Sequence, residues 1–110
     1  MLKTIVGFLL FITLSSFANE DITSKVQWLS VYTEYGNGDV GFLTQEKGTI
    51  CYGYWISGDA PGLNQAYSTL LSAYHSDSPV QLNVSPAESE KWPASSNHYC
   101  KVIRLALAKN

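Results

Sequence analysis

Ile50-Cys51-Tyr52-Gly53-Tyr54-Trp55-Ile56-Ser57-Gly58-Asp59-Ala60-Pro61-Gly62-Leu63-Asn64-Gln65-Ala66-Tyr67-Ser68-Thr69-Leu70-Leu71 is the stretch in which the chain changes its period. Up to Ile56, aromatic and β-branched residues alternate, with Cys51, Gly53 and Trp55 on one face and Ile50, Tyr52, Tyr54 and Ile56 on the other. That pattern specifies a strand, and Gly53 inside it marks a bulge or a close backbone approach. From Leu63 the apolar residues Leu63, Ala66, Tyr67, Leu70, Leu71 and Tyr74 recur at helical spacing, opposite Gln65, Ser68, Thr69 and Ser72. One apolar stripe on an amphipathic helix results. Between the two periods, Ser57 to Pro61 breaks the strand and offers Ser57 or Asp59 as a helix cap, with Pro61 in the first turn.

Working outward, Lys25 to Tyr35 alternates as a first strand, with Val26, Trp28 and Tyr32 on one face and Leu29, Val31 and Tyr35 on the other. Residues 19–24 are polar and are expected to fray. Gly36-Asn37-Gly38-Asp39 carries the Asn-Gly hairpin signal, since both residues accept positive φ. Val40, Phe42 and Thr44 follow in a second strand, and Gln45 to Gly48 is a turn. Beyond the helix, His75 to Pro79 is a break, and Val80, Leu82 and Val84 alternate in a fourth strand. Residues 85–97 form a polar loop whose one large apolar side chain is Trp92, and His98 to Ala108 is a fifth strand.

The order β-β-β-α-β-β is that of an OB-fold, a five-stranded barrel with a single helix. An open α+β sheet with the helix on one face is the alternative. The cysteines offer an independent check. In that barrel the third and fifth strands run parallel and side by side, so their starts meet, and Cys51 and Cys100 sit near those starts.

The chain begins with one cation, Lys3, then the apolar run Ile5 to Ile12, then Ser16-Phe17-Ala18 with small residues at the −3 and −1 positions. This is the plan of a secretory signal cleaved after Ala18, and the run is shorter than the roughly 20 residues of a spanning helix. The expectation is a signal peptide over 1–18 and a single domain over 19–110, secreted or periplasmic, without stable membrane insertion. In an oxidising compartment a Cys51–Cys100 disulfide is the default. It would stabilise the domain by about 4 kcal/mol in the chain-entropy model.

Six cations remain after Lys3 (Lys25, Lys47, Lys91, Lys101, Arg104 and Lys109) against nine acids, a net charge of −3. The cations are scattered, so the basic stripe that nucleic acid requires is missing. No nucleophile elbow, phosphate loop or paired-cysteine metal motif occurs, and neither catalytic residues, cofactor nor metal is expected. His75, at the helix end, is expected to meet helix-terminal carbonyls rather than to ligate a metal with Asp77. Asn83-Val84-Ser85 matches a glycosylation sequon but reads as an ordinary strand end. Trp28, Tyr54 and Tyr67 read as packing residues. Trp92 lies on the loop between the fourth and fifth strands, which in OB-folds binds oligosaccharides and oligonucleotides. It is either a ligand platform or a plug for the barrel mouth, and Ser95, Ser96 and Asn97 beside it supply the neutral donors and acceptors that sugar hydroxyls need.

The strand Ile50-Cys51-Tyr52-Gly53-Tyr54-Trp55, the segment Pro61 to Leu71, Pro79-Val80-Gln81-Leu82-Asn83-Val84 and the late cysteine together resemble the B subunits of AB-type bacterial toxins, most closely subtilase cytotoxin B-like proteins. The resemblance implies an OB-fold that assembles as a homo-pentamer, binds cell-surface glycans and has an enzymatic partner chain. The expected function is a non-catalytic, glycan-recognising binding module. The alternatives are an exported protein–protein interaction module, such as an inhibitor of an envelope enzyme, and a small hydrolase built from the available Ser, His and Asp residues.

Overall fold

A computed structural model describes residues 18–109. The signal-peptide expectation falls on residues outside this range, apart from Ala18. Five strands, β1 (Glu20–Tyr32), β2 (Asp39–Thr44), β3 (Gly53–Ile56), β4 (Pro79–Ser85) and β5 (Tyr99–Leu107), close into a barrel in the order β1-β2-β3-β5-β4. One helix, α1 (Leu63–Ser76), connects β3 to β4. The barrel of the OB-fold is therefore present, and the open sheet is excluded. Every pairing is antiparallel except β3 with β5, which are parallel across Gly53↔Tyr99, Tyr54↔Cys100 and Trp55↔Lys101. Just before this short ladder Cys51 is bonded to Cys100, with Cα atoms 5.5 Å apart.

The inward side chains follow the period of two. Val40, Phe42 and Thr44 of β2, Tyr54 and Ile56 of β3, and Val80, Leu82 and Val84 of β4 are buried. Leu70 and Ala73 of α1 complete this core, and Leu63, Ala66 and Tyr67 pack on its edge. Each fully buried apolar side chain of this size contributes about 1.5–3 kcal/mol. Burial holds the Tyr54 phenol above its ordinary value, with the Thr44 side chain partly opposing the shift and Glu20 adding to it.

Several expectations need correction. Residues 20–24 do not fray: they pair with β4 from Glu20↔Val84 to Ser24↔Val80. Ladder hydrogen bonds hold them, with Ile22 the one apolar side chain that packs against the core, so a mostly polar composition gave little sign of it. The register of β1 against β2 slips between Val26 and Trp28. That bulge moves Leu29, opposite Phe42, to the same inward side as Val26, and turns Trp28 outward. The third strand starts at Gly53, not Ile50, because the disulfide and the Tyr52 N–H bond to the His98 carbonyl (2.8 Å) anchor the chain there instead. Helix α1 takes Gly62 as its N-cap without a side-chain bond. Ser57 Oγ accepts from Asp59 N–H (3.0 Å), and Asp59 accepts from Asn37 Nδ2 (2.7 Å), so both candidate caps serve the preceding loop.

The helix ends on Asp77 in the left-handed region (φ 56°), its N–H bonded to the Ala73 carbonyl. Asp77 also pairs with Lys25 (3.1 Å). His75 lies edge-on to Tyr74 at 5.8 Å and makes no hydrogen bond to the helix-terminal carbonyls among the described residues. The β1–β2 loop passes through three successive positive φ values at Gly36, Asn37 and Gly38 (61°, 63° and 96°), as the Asn-Gly signal requires.

Candidate functional site

Because β1, β2 and β3 alternate, their outward residues form a second surface of their own. Trp28 stands opposite Leu43, Ser30 opposite Gly41 and Tyr32 opposite Asp39, while Gly41 pairs in turn with Trp55 of β3. In OB-folds the outer face around these strands carries ligands, together with the β1–β2 and β4–β5 loops. Here the β4–β5 loop, residues 86–98, lies across part of it.

Trp92 is the point of contact. It is 1% exposed, and its ring stacks almost parallel to Trp55 (12°, centroids 6.1 Å apart) and edge-on to Tyr32 (4.8 Å) and Tyr99 (5.0 Å). Trp55, Trp92 and Tyr99 form a small apolar cluster outside the barrel, with Leu43 and Ala94 at its margin. Gly41 is the floor: a Cβ there would stand 2.4 Å from the Trp92 ring. The absence of a side chain is what lets the indole lie on the sheet. Burial also raises the Tyr99 phenol above its ordinary value, with Tyr52 and Tyr32 adding to the shift.

Polar bonds fix the loop at several further points. The Trp92 indole N–H donates to Asp39 Oδ2 (2.8 Å), and the Trp55 indole N–H donates to the Glu90 carbonyl (3.0 Å). Asp39, 3% exposed, also accepts from the Gly58 N–H through Oδ1 (2.7 Å). One buried carboxylate thus joins the β2 start, the β3–α1 loop and the β4–β5 loop. Glu88 faces both His98 (3.5 Å) and Lys91 (3.7 Å), and Glu90 faces Lys101 (3.8 Å).

Of the two roles open to Trp92, the structure shows the buried one, which corrects the expectation of Trp92 as a ligand platform. The plug, however, sits on the outer sheet face and not in the barrel interior. Ser95, Ser96 and Asn97 follow it in a turn where Ser95 N–H bonds the Trp92 carbonyl (3.4 Å) and Asn97 N–H bonds Ser95 Oγ (3.1 Å). Ser96 and Asn97 are exposed, and their side chains have no bonded partner among the described residues.

The sequence pointed away from the residues that line the open part of this face. Trp28 is 41% exposed, and Tyr32 and Tyr35 are exposed in a T-shaped pair at 6.5 Å. Between Trp28 and Tyr32, Ser30 Oγ is buried without a hydrogen-bond partner. A one-residue bulge is invisible to an alternation count, which puts Trp28 and Val26 on the same face. At the far side Lys47 Nζ lies 4.4 Å above the Tyr52 ring, which meets Tyr99 at 5.6 Å.

The arrangement offers aromatic faces, one orphaned hydroxyl and neutral polar groups. Among the described residues, no three His, Cys, Asp or Glu side chains converge to hold a metal ion, and no helix is long and apolar enough to cross a membrane. No family model matches the chain, and neither a curated protein nor a solved structure matches it.

Proposed function

We propose that this protein is an exported, non-catalytic binding module that recognises a saccharide on the outer face of β1, beside the β4–β5 loop. The observation that carries the reading is the exposed row Trp28, Tyr32 and Tyr35. Sugar rings stack their C–H faces on aromatic rings, and their hydroxyls need neutral donors and acceptors of the kind the exposed Ser96 and Asn97 supply. The net negative charge of the segment after residue 18 disfavours polyanions such as nucleic acid as the ligand. The likeness to toxin B subunits points the same way and extends the proposal to a five-membered ring with an enzymatic partner chain.

The test is a glycan-array screen of the oxidised protein, residues 19–110, run beside light scattering for its mass. Selective sugar binding that disappears in Trp28→Ala and Tyr32→Ala, with the thermal midpoint held within a few degrees, supports the reading. A protein that binds no glycan in any oligomeric state refutes it.

A further inference from the structure

The pairing registers leave one strand edge open. β5 meets β3 only from Tyr99 to Lys101, because β3 ends at Ile56. From Val102 to Leu107, β5 has β4 on one side and no strand on the other. A bulge at Ile103 interrupts this edge, and from Arg104 to Leu107 it presents a regular row of backbone donors and acceptors that no other hydrogen bond reaches among the described residues. Beside it runs a groove of about 360 Å³ between β5 and the start of α1. Ile56, Ala66, Val102 and Leu105 give it apolar walls, and Ile103 on its rim is 52% exposed.

The groove's electrostatics differ from those of the molecule as a whole. Arg104 is the one charged residue in its lining. The first turn of α1, which borders it, contains no acid and has no side-chain cap. The groove is therefore positive on a domain whose net charge is negative.

We infer that this open edge of β5 and its groove dock an extended peptide segment of another protein, one that alternates apolar and acidic residues. A free strand edge is matched only by another backbone, which adds as a further strand while side-chain pockets set specificity. The apolar walls take alternate side chains, and Arg104 takes a carboxylate. A second copy of the chain does not supply the acid this groove matches, since Val102–Leu107 contains Arg104 and no carboxylate. An antiparallel self-pairing centred on Arg104 would oppose two guanidinium groups, and like charges opposed across strands destabilise the pair. The surface shares no residue with the aromatic face on β1.

The experiment pans a phage-displayed library of random linear peptides on the disulfide-intact protein. Enriched peptides are expected to alternate apolar and acidic residues and to shift the backbone amide resonances of 102–107 and 62–66. Arg104→Glu and Ile103→Lys, both exposed positions, are expected to weaken binding roughly tenfold or more without lowering the thermal midpoint, while Arg104→Lys keeps most of it. Peptides that bind these variants as well as the parent, that lack acidic residues, or whose shifts map elsewhere overturn the inference. Failure to enrich any peptide overturns it too. So does an oligomer in sedimentation velocity that Ile103→Lys converts to monomer, because the edge is then filled by a copy of the chain. None of these outcomes bears on sugar binding at the other face.

Discussion

Replacing Asp39 with alanine removes the acceptor for two hydrogen bonds, from the Trp92 indole and the Gly58 amide, at 2.8 and 2.7 Å. A hydrogen bond to a charged group contributes about 1.5–3 kcal/mol, and a buried donor left without its acceptor costs about 1–3 kcal/mol. The two bonds share one carboxylate, so their effects are not additive, and the expected loss is about 3–5 kcal/mol. That is a large part of the roughly 5–15 kcal/mol available to a domain of this kind. Asp39→Asn retains one carbonyl acceptor and should cost about half as much. Urea unfolding followed by circular dichroism measures both, with the midpoint falling and the slope unchanged for a two-state loss. Tryptophan fluorescence in the absence of urea should also change in Asp39→Ala as the Trp92 ring loosens from Trp55. A loss below about 1 kcal/mol for Asp39→Ala, with unaltered fluorescence, would refute the idea that this carboxylate clasps the three loops.

The remaining predictions concern other joints of the fold. Opening the Cys51–Cys100 bridge by replacing both residues with alanine should lower stability by about 4 kcal/mol, as closure of a loop of this length predicts; equal urea midpoints for the two forms would contradict it. Gly41→Val should expel Trp92 from the sheet, since even a Cβ meets its ring, and faster proteolysis within residues 86–98 is the expected sign. Trp92→Ala, which empties a buried site, should cost about 3–5 kcal/mol, so an unchanged thermal midpoint would remove Trp92 from its structural role. The raised Tyr54 and Tyr99 phenols give a pH dependence of definite sign. Below the ordinary tyrosine value near 10 both states are neutral and the contribution is constant. Above it the unfolded chain ionises first, so stability should fall as pH rises. Phenolate absorbance that develops fully before any loss of structure would run against that coupling.

Where burial, period and turn chemistry agreed, the fold was legible. Asn37-Gly38 predicted the hairpin, the spacing from Leu63 to Tyr74 predicted α1, and the positions of Cys51 and Cys100 matched a parallel third and fifth strand. What escaped were features set by pairing partners rather than by side-chain character. Glu20 to Ser24 is a strand because β4 lies beside it, and its mostly polar residues resemble any loop. Asp39 read as a turn residue, although the loops that converge on it make it a buried acceptor. The second apolar cluster was hidden because Trp55, Trp92 and Tyr99 come from three separate segments. Trp28 was misassigned by the bulge at Gln27, and the candidate binding face went unseen with it.

The bridge between Cys51 and Cys100 also has a meaning in time. During synthesis Cys51 emerges 49 residues ahead of its partner, an interval of roughly 2–10 s at ordinary elongation rates of about 5–20 residues per second. For that period its thiol has no mate within the domain, and in an oxidising compartment it is open to mixed disulfides with small thiols or with an oxidoreductase. The three-residue β3–β5 ladder that closes the barrel waits on the same late segment. Oxidation and ring closure therefore become available together, and a chain stalled before residue 100 remains both unstapled and open.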